Sequence, residues 1–299
     1  MPSKETLFTQ GAAAAHKVFG TQDIYVCPLC GIGYGREALR ARELTREHAP
    51  PRSQAGKAIL LTCRRCNNSA GYRFDPDAAI RERFETARRV MVDGEPGMAG
   101  AFRMRWGGET LNVEVTTDAE GVGVIHVIER RNNPATVQSA VRSFTQTRSE
   151  GRTVGYELNF ESVDRCNLRL AHLSDLRVAF LLCTAKFGYR YALHPCLTLI
   201  RDQIQRPDQI LVERWWGNWK EMLPRRSIMI HEEEGLVTVG WGKRSIHLPW
   251  PTQSIENYLR RMEEMRTRGQ VTLKIHGQCD WPTCFEAVID HRIAAGNAG

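Results

Sequence analysis

The 299-residue sequence lacks any run of eighteen or more apolar residues, which excludes a conventional membrane-spanning helix. Met1 to Gln10 lacks both a basic n-region and an apolar h-region, so no secretory signal is expected and the predicted compartment is the cytoplasm. Internal repeats are missing, as is low-complexity sequence apart from the run Ala12 to Ala15, and a solenoid is thereby excluded. Most of the chain also lacks an excess of either charge. The formal net charge is +7, but residues 1–92 hold 15 Lys and Arg against 9 Asp and Glu, or +6, leaving +1 for the rest. A part that seeks a polyanion is therefore expected at the N-terminal end.

What the chain does have is length for two domains and, with 42% hydrophobic residues, apolar surface for a core in each. It also has nine cysteines. In a reducing compartment, clustered cysteines ask for a metal before a disulfide.

Hydrophobic periodicity predicts an α+β chain. Residues 11–19 read as a short helix leading to a strand at Ile24–Val26. Strand character returns at Leu39–Thr45 and Ala58–Thr62, with His48-Ala49-Pro50-Pro51 between them as an extended loop. Asp75-Pro76-Asp77 opens a helix with Ala79, Ile80, Phe84, Ala87, Val90 and Met91 on one face. Asp93-Gly94-Glu95-Pro96-Gly97 closes it and marks the expected boundary between a small module, 1–93, and a larger α+β region, 98–299. A further division of that region into 98–206 and 207–299 stays open. Strands are predicted at 102–106, 111–115, 122–128, 154–160, 228–230, 236–241, 245–248 and 271–275, with helices at 135–149, 168–187 and 255–268.

Cys27-Pro28-Leu29-Cys30 and Cys63-Arg64-Arg65-Cys66 are two CxxC pairs. Two intervening residues let both thiolates turn toward one tetrahedral ion, and Gly31 and Gly33 give the turn its freedom. A redox motif needs only one pair. Two pairs make a closed four-cysteine site, suited to structural zinc because no coordination position stays open.

Around the second pair lie Leu44-Thr45-Arg46-Glu47-His48-Ala49-Pro50-Pro51 and Gly56-Lys57-Ala58-Ile59-Leu60-Leu61-Thr62-Cys63-Arg64-Arg65-Cys66-Asn67-Asn68. This stretch resembles the HNH (ββα-metal) nuclease family, in which an acid–His pair ends one strand, a proline-marked loop follows, and a cysteine pair after the second strand runs into Asn or His at a helix start. The resemblance covers residues 25–75 and implies a zinc-stapled ββα module that hydrolyses phosphodiester bonds. Such hydrolysis needs an activated water, charge on the phosphate neutralised by a metal, and a cation for the departing 3′ oxygen. Neutral imidazole suits the first task at cellular pH, which makes His48 the general base. The matching family positions make Glu47 and Asn67 ligands of a catalytic Mg2+ or Mn2+ through hard oxygens.

Two departures stand out. The family's middle asparagine, which holds the loop, is absent near Lys57 and Ala58, and the last position is Asn67 rather than His, with Asn68 its substitute if the register shifts by one. The competing reading makes Glu47 and His48 exposed loop residues and Asn67 a helix cap. Arg46, Arg52, Lys57, Arg64, Arg65 and Arg73 supply the expected phosphate contacts. The partner implied is DNA, with RNA the alternative, and the expected setting is restriction, phage defence or a mobile element.

Beyond residue 98 no comparable chemistry is legible. The 168–187 helix is expected to be core. Cys279 and Cys284 have the wrong spacing for a knuckle, and the Trp215-Trp216-Gly217-Asn218-Trp219 cluster reads as core before it reads as a base-stacking surface.

Overall fold

The structure is a computed structural model, described for residues 2–52, 56–91, 93–106, 108–117, 119–120, 123–151, 157–159, 166–218, 226–241, 244–268 and 272–287. It is α+β, as the periodicity predicts, and it divides into two compact units: Met1–Pro76 with Arg169–Gly299, and Asp77–Leu168. No helix among the described residues is long and apolar enough to cross a membrane.

In the first unit, helix α1 (Lys4–Phe19) starts seven residues before the expected position. The Ser3 side chain accepts from the Thr6 N–H as its N-cap, and Gly20 ends the helix in the left-handed region. Strand β1 (Tyr25–Val26) pairs with β2 (Gly33–Tyr34). A short helix α2 (Glu37–Arg40) takes the first residues of the stretch expected as strand, and β3 begins only at Leu44 (Leu44–Ala49). The prolines do stop it, one residue after His48-Ala49 has joined the ladder. β4 (Lys57–Cys63) pairs antiparallel with β3 and runs into α3 (Arg64–Arg73).

Tyr25 locks this part together. Its hydroxyl donates to Leu61 O at 2.6 Å and accepts from Leu61 N–H at 2.9 Å, so a phenol stands where a neighbouring strand would on β4. The ring leaves no room on α1: a Cβ added at Gly11 would sit 2.2 Å from Tyr25 Cε2. That is why a glycine interrupts an otherwise good helix former's sequence.

The rest of this unit comes from the far end of the chain. Helix α4 starts at Asp75 (Asp75–Met91), and after the second unit the chain returns as α6 (Leu168–Phe187), which is buried on nearly every side. Helices α7 (Tyr189–Ala192) and α8 (Thr198–Gln205) follow. Strands β9 (Trp216–Asn218), β10 (Ser227–His231), β11 (Leu236–Trp241), β12 (Arg244–Pro249) and β13 (Gly277–Asp280) form one antiparallel sheet in the order β13-β10-β11-β12-β9, with α9 (Ile255–Arg268) after β12. The expected strand at 271–275 is displaced: residues 272–275 are irregular, residue 271 lies outside the described residues, and the strand that pairs with β10 is β13.

Leu7, Phe8, Tyr25, Leu60 and Leu61 share one continuous core with Leu176, Phe180, Trp215, Val239 and Trp250. The sheet carries a buried polar chain of its own. Lys274 O lies 2.9 Å from His231 Nδ1, the Thr238 hydroxyl lies 3.0 Å from both His231 Nε2 and His247 Nδ1, and Ser245 Oγ lies 3.1 Å from His247 Nε2. A carbonyl can only accept, so His231 Nδ1 carries the proton.

The second unit contains the rest of α4, the meander β5 (Gly97–Trp106), β6 (Glu109–Thr117) and β7 (Gly123–Val127), helix α5 (Pro134–Ser149) and β8 (Glu157–Asn159). Strand order is β7-β6-β5-β8. The expected strand at 154–160 is represented by β8, its remaining residues lying outside the described ones. Alternation along β6 sends Leu111, Val113 and Val115 inward, where they meet Phe102, Met104 and Ala140. The expected boundary at Asp93–Gly97 is only the turn between α4 and β5. The chain divides earlier, because Ala87 and Val90 of α4 pack in the meander's core and Thr117 Oγ1 donates to Val90 O at 3.1 Å.

A candidate metal centre and the polar site that adjoins it

The four sulfurs of Cys27, Cys30, Cys63 and Cys66 lie within 4.8 Å of one another. Local backbone geometry puts them there. Cys27 follows β1, and Gly31 turns the chain at φ +72°, donating its N–H to Cys27 O at 2.8 Å while the Cys27 N–H donates to Ile32 O at 2.9 Å. Cys63 ends β4, and Cys66 stands in the first turn of α3. The Cys63 N–H also donates to Cys27 Sγ at 3.4 Å, the kind of amide-to-sulfur bond that stabilises a thiolate. Four thiols in this cage can bind one zinc ion, as the paired CxxC spacing predicts.

Immediately before Cys63, Thr62 begins a second cluster. Glu47 is 3% exposed, and its Oε2 accepts from Thr62 Oγ1 at 2.9 Å and from Arg177 Nη2 of α6. The same Nη2 donates to Asn67 Oδ1 at 3.3 Å, and Asn67 Nδ2 donates to Thr45 Oγ1 at 3.1 Å. Arg177 is 1% exposed; its Nη1 is 4.0 Å from Asp75 Oδ2, Asp75 Oδ1 accepts from Ser174 Oγ at 2.8 Å, and the Arg177 Nε–H has no partner among the described residues. Burial pushes the Glu47 pKa up, against the pull of the Arg177 charge and the Thr62 hydrogen bond.

The predicted residues fall into three groups. Glu47 and Asn67 are brought together, through one guanidinium nitrogen. Glu47 is buried, which removes the reading of it as a loop residue, and Asn67 is no cap, since Cys63 holds the N-cap position of α3. Asn68 is exposed, so the unshifted register is the one that reaches the cluster. His48 is next along β3, half-buried, beyond a bulge at which Ile59 is the extra residue of β4. Burial first, then the Arg52 and Arg46 charges, lower its pKa below that of an ordinary histidine. Arg46, Arg52, Lys57, Arg64, Arg65 and Arg73 are exposed, and Arg73 also pairs with the exposed Asp208. No family model, curated protein or solved structure matches the chain. The resemblance therefore rests on these residues and their arrangement.

Sequence reasoning missed Arg177, Asp75 and Ser174. One signal was present: Ser174, Asp175 and Arg177 fall in the middle of a helix whose other central residues, Leu173, Leu176 and Val178 to Cys183, are apolar, and a charge buried in such a stretch needs a partner. The tryptophan cluster is core at Trp215, which is fully buried and donates its Nε1–H to His172 O at 3.0 Å. Trp216 stacks on the His172 ring with centroids 4.2 Å apart, and Trp219 lies outside the described residues.

Proposed function

We propose that the chain is a metal-dependent endonuclease of the HNH type that hydrolyses phosphodiester bonds in DNA. The observation that carries this reading is convergence: side-chain oxygens of Glu47 on β3 and Asn67 on α3 meet at one cationic point, with His48 next in sequence and the four-thiol cage at the junction of β4 and α3. Oxygen donors of this kind suit Mg2+ or Mn2+. Such an ion, when bound, supplies the charge that the phosphate and the departing 3′ oxygen need.

The protein's own residues do the rest. His48, kept neutral at cellular pH, takes the proton of the water that attacks phosphorus as the P–O3′ bond breaks. Glu47 and Asn67 fix the ion. The exposed Arg46, Arg52, Lys57, Arg64 and Arg65 hold the backbone phosphates without regard to sequence. The larger region, residues 98–299, is the candidate for choosing where or when the cut is made.

A second reading has a specific observation in its favour, because the cation on which the two oxygens converge is the protein's own Arg177. On that reading the site is degenerate and the chain is a zinc-stapled nucleic-acid-binding or regulatory protein. A plasmid-nicking assay with Mg2+ or Mn2+ separates the two. The first expects nicking that His48→Ala reduces at least about a hundredfold with zinc content and melting unchanged. The second expects no cleavage of DNA or RNA with any metal, and competition by RNA tells the two substrates apart.

A further inference from the structure

Arg177 sits where a divalent ion held by Glu47 and Asn67 would have to sit. One nitrogen bonds both oxygens, and neither the guanidinium nor the carboxylate is open to water. A bare hard ion needs five or six oxygen ligands and usually keeps several as water. The closed arrangement has no place for that shell while the guanidinium stays. The arrangement is also incompletely satisfied, since the Arg177 Nε–H is buried with no acceptor among the described residues.

A second seat is close by. Asp75 Oδ2 lies 4.0 Å from Nη1, within ion-pair distance but too far for a hydrogen bond, so this carboxylate stands beside the guanidinium without holding it. Asp75 is held in place from the other side by Ser174 Oγ, three residues before Arg177 on the same helix.

We infer that Arg177 is a resident counter-ion that competes with the divalent cation for Glu47 and Asn67, and that Asp75 receives its guanidinium when the cation binds. The inference rests on the reading of Glu47 and Asn67 as ligands of that cation. It makes the site self-locking: without the ion, the carboxylate is neutralised from within and cannot bind stray cations, and the ion must displace an internal charge before chemistry is possible. Arg177 is thus a specificity-setting residue for metal, and Asp75 positions it.

The test is Mn2+ binding to the full zinc-loaded chain, followed by electron paramagnetic resonance or calorimetry without nucleic acid. Arg177→Met is expected to bind Mn2+ at least tenfold more tightly than the wild type, because the competitor is gone. Asp75→Asn, which keeps an acceptor for Ser174, is expected to bind at least tenfold more weakly, because the guanidinium loses its alternative seat. Should Arg177→Met fail to fold, the Asp75→Asn measurement alone decides, and an unchanged or tighter Mn2+ affinity there overturns the inference. Wild-type and Arg177→Met chains that bind Mn2+ equally well overturn the inference and leave the nuclease reading standing. If no form binds Mn2+ and none nicks DNA, the ligand assignment fails and the inference falls with it.

Discussion

The first unit buries two polar clusters, and they are built on opposite principles. Around Arg177 the groups centre on an ion pair, are drawn from β3, β4, α3, α4 and α6, and leave one donor without a partner among the described residues. Along His231, Thr238, His247 and Ser245 the groups are neutral, drawn from three adjacent strands, and each ring nitrogen has a partner. A neutral chain of this kind satisfies buried polar atoms at little desolvation cost and suits a sheet core. An ion pair in the same position costs several kcal/mol of desolvation per ion and is seldom the most stable solution. The difference teaches where to look for chemistry: the cluster that stability alone would not select is the one that adjoins the thiol cage.

The comparison breaks most completely at the cage. Cys63→Ser removes one of the four thiols that can hold zinc at the junction of β4 and α3, and structural zinc contributes folding free energy outright. The expected outcome is loss of cooperative melting with roughly a tenth or less of the wild-type zinc remaining; a cooperatively melting variant with full metal content would contradict it. Next comes the ionic cluster. Glu47→Gln leaves the Arg177 charge buried without its carboxylate and is expected to cost about 3–5 kcal/mol in chemical denaturation, whereas the paired change Glu47→Leu with Arg177→Met is expected to cost far less. Equal losses in the single and double variants would show that packing, not charge, is at stake.

The neutral cluster responds more mildly. Thr238→Val deprives two buried ring nitrogens of their shared hydroxyl and is expected to cost about 3 kcal/mol, read from the same denaturation curves. It also responds to acid in a direction the geometry fixes. Burial first, then repulsion between protonated His247 and its neighbours, His231 as it titrates and the Arg214 charge, push the His247 pKa down to about 3, against 6.5 for an ordinary histidine. A folded-state pKa below the unfolded one means that the unfolded chain binds the proton first. The contribution is therefore complete above pH 6.5 and is lost as pH falls toward 3, the loss having reached about 2 kcal/mol at pH 5. A His247→Gln variant is expected to lose that segment of the pH–stability curve, and an unchanged slope between pH 6.5 and 5 would assign acid sensitivity elsewhere.

Legibility in the sequence followed the reach of each interaction. The thiol cage was readable because CxxC geometry is set within three residues, and Asn67 was readable because it follows Cys66 directly. Strands β6, β11 and β12 were readable from alternation and unbroken apolar character. Arg177 was not, because it lies 130 residues from Glu47 and 110 from Asn67, and only tertiary packing brings it there. The domain boundary failed for a related reason. Asp93-Gly94-Glu95-Pro96-Gly97 carries every local mark of a linker, but whether a turn separates domains depends on what the helix before it packs against, and α4 packs against the meander that follows.

The phenol of Tyr25 on Leu61 has a consequence for the crowded cell. A two-stranded ribbon ordinarily offers its open flank as a template on which a foreign chain can add itself, strand by strand, toward an aggregate. On β4 that flank is already occupied at its centre by a hydroxyl that both gives and takes the backbone bonds, and the ring behind it bars approach. A single side chain thus closes the β4 flank of the ribbon to a foreign strand.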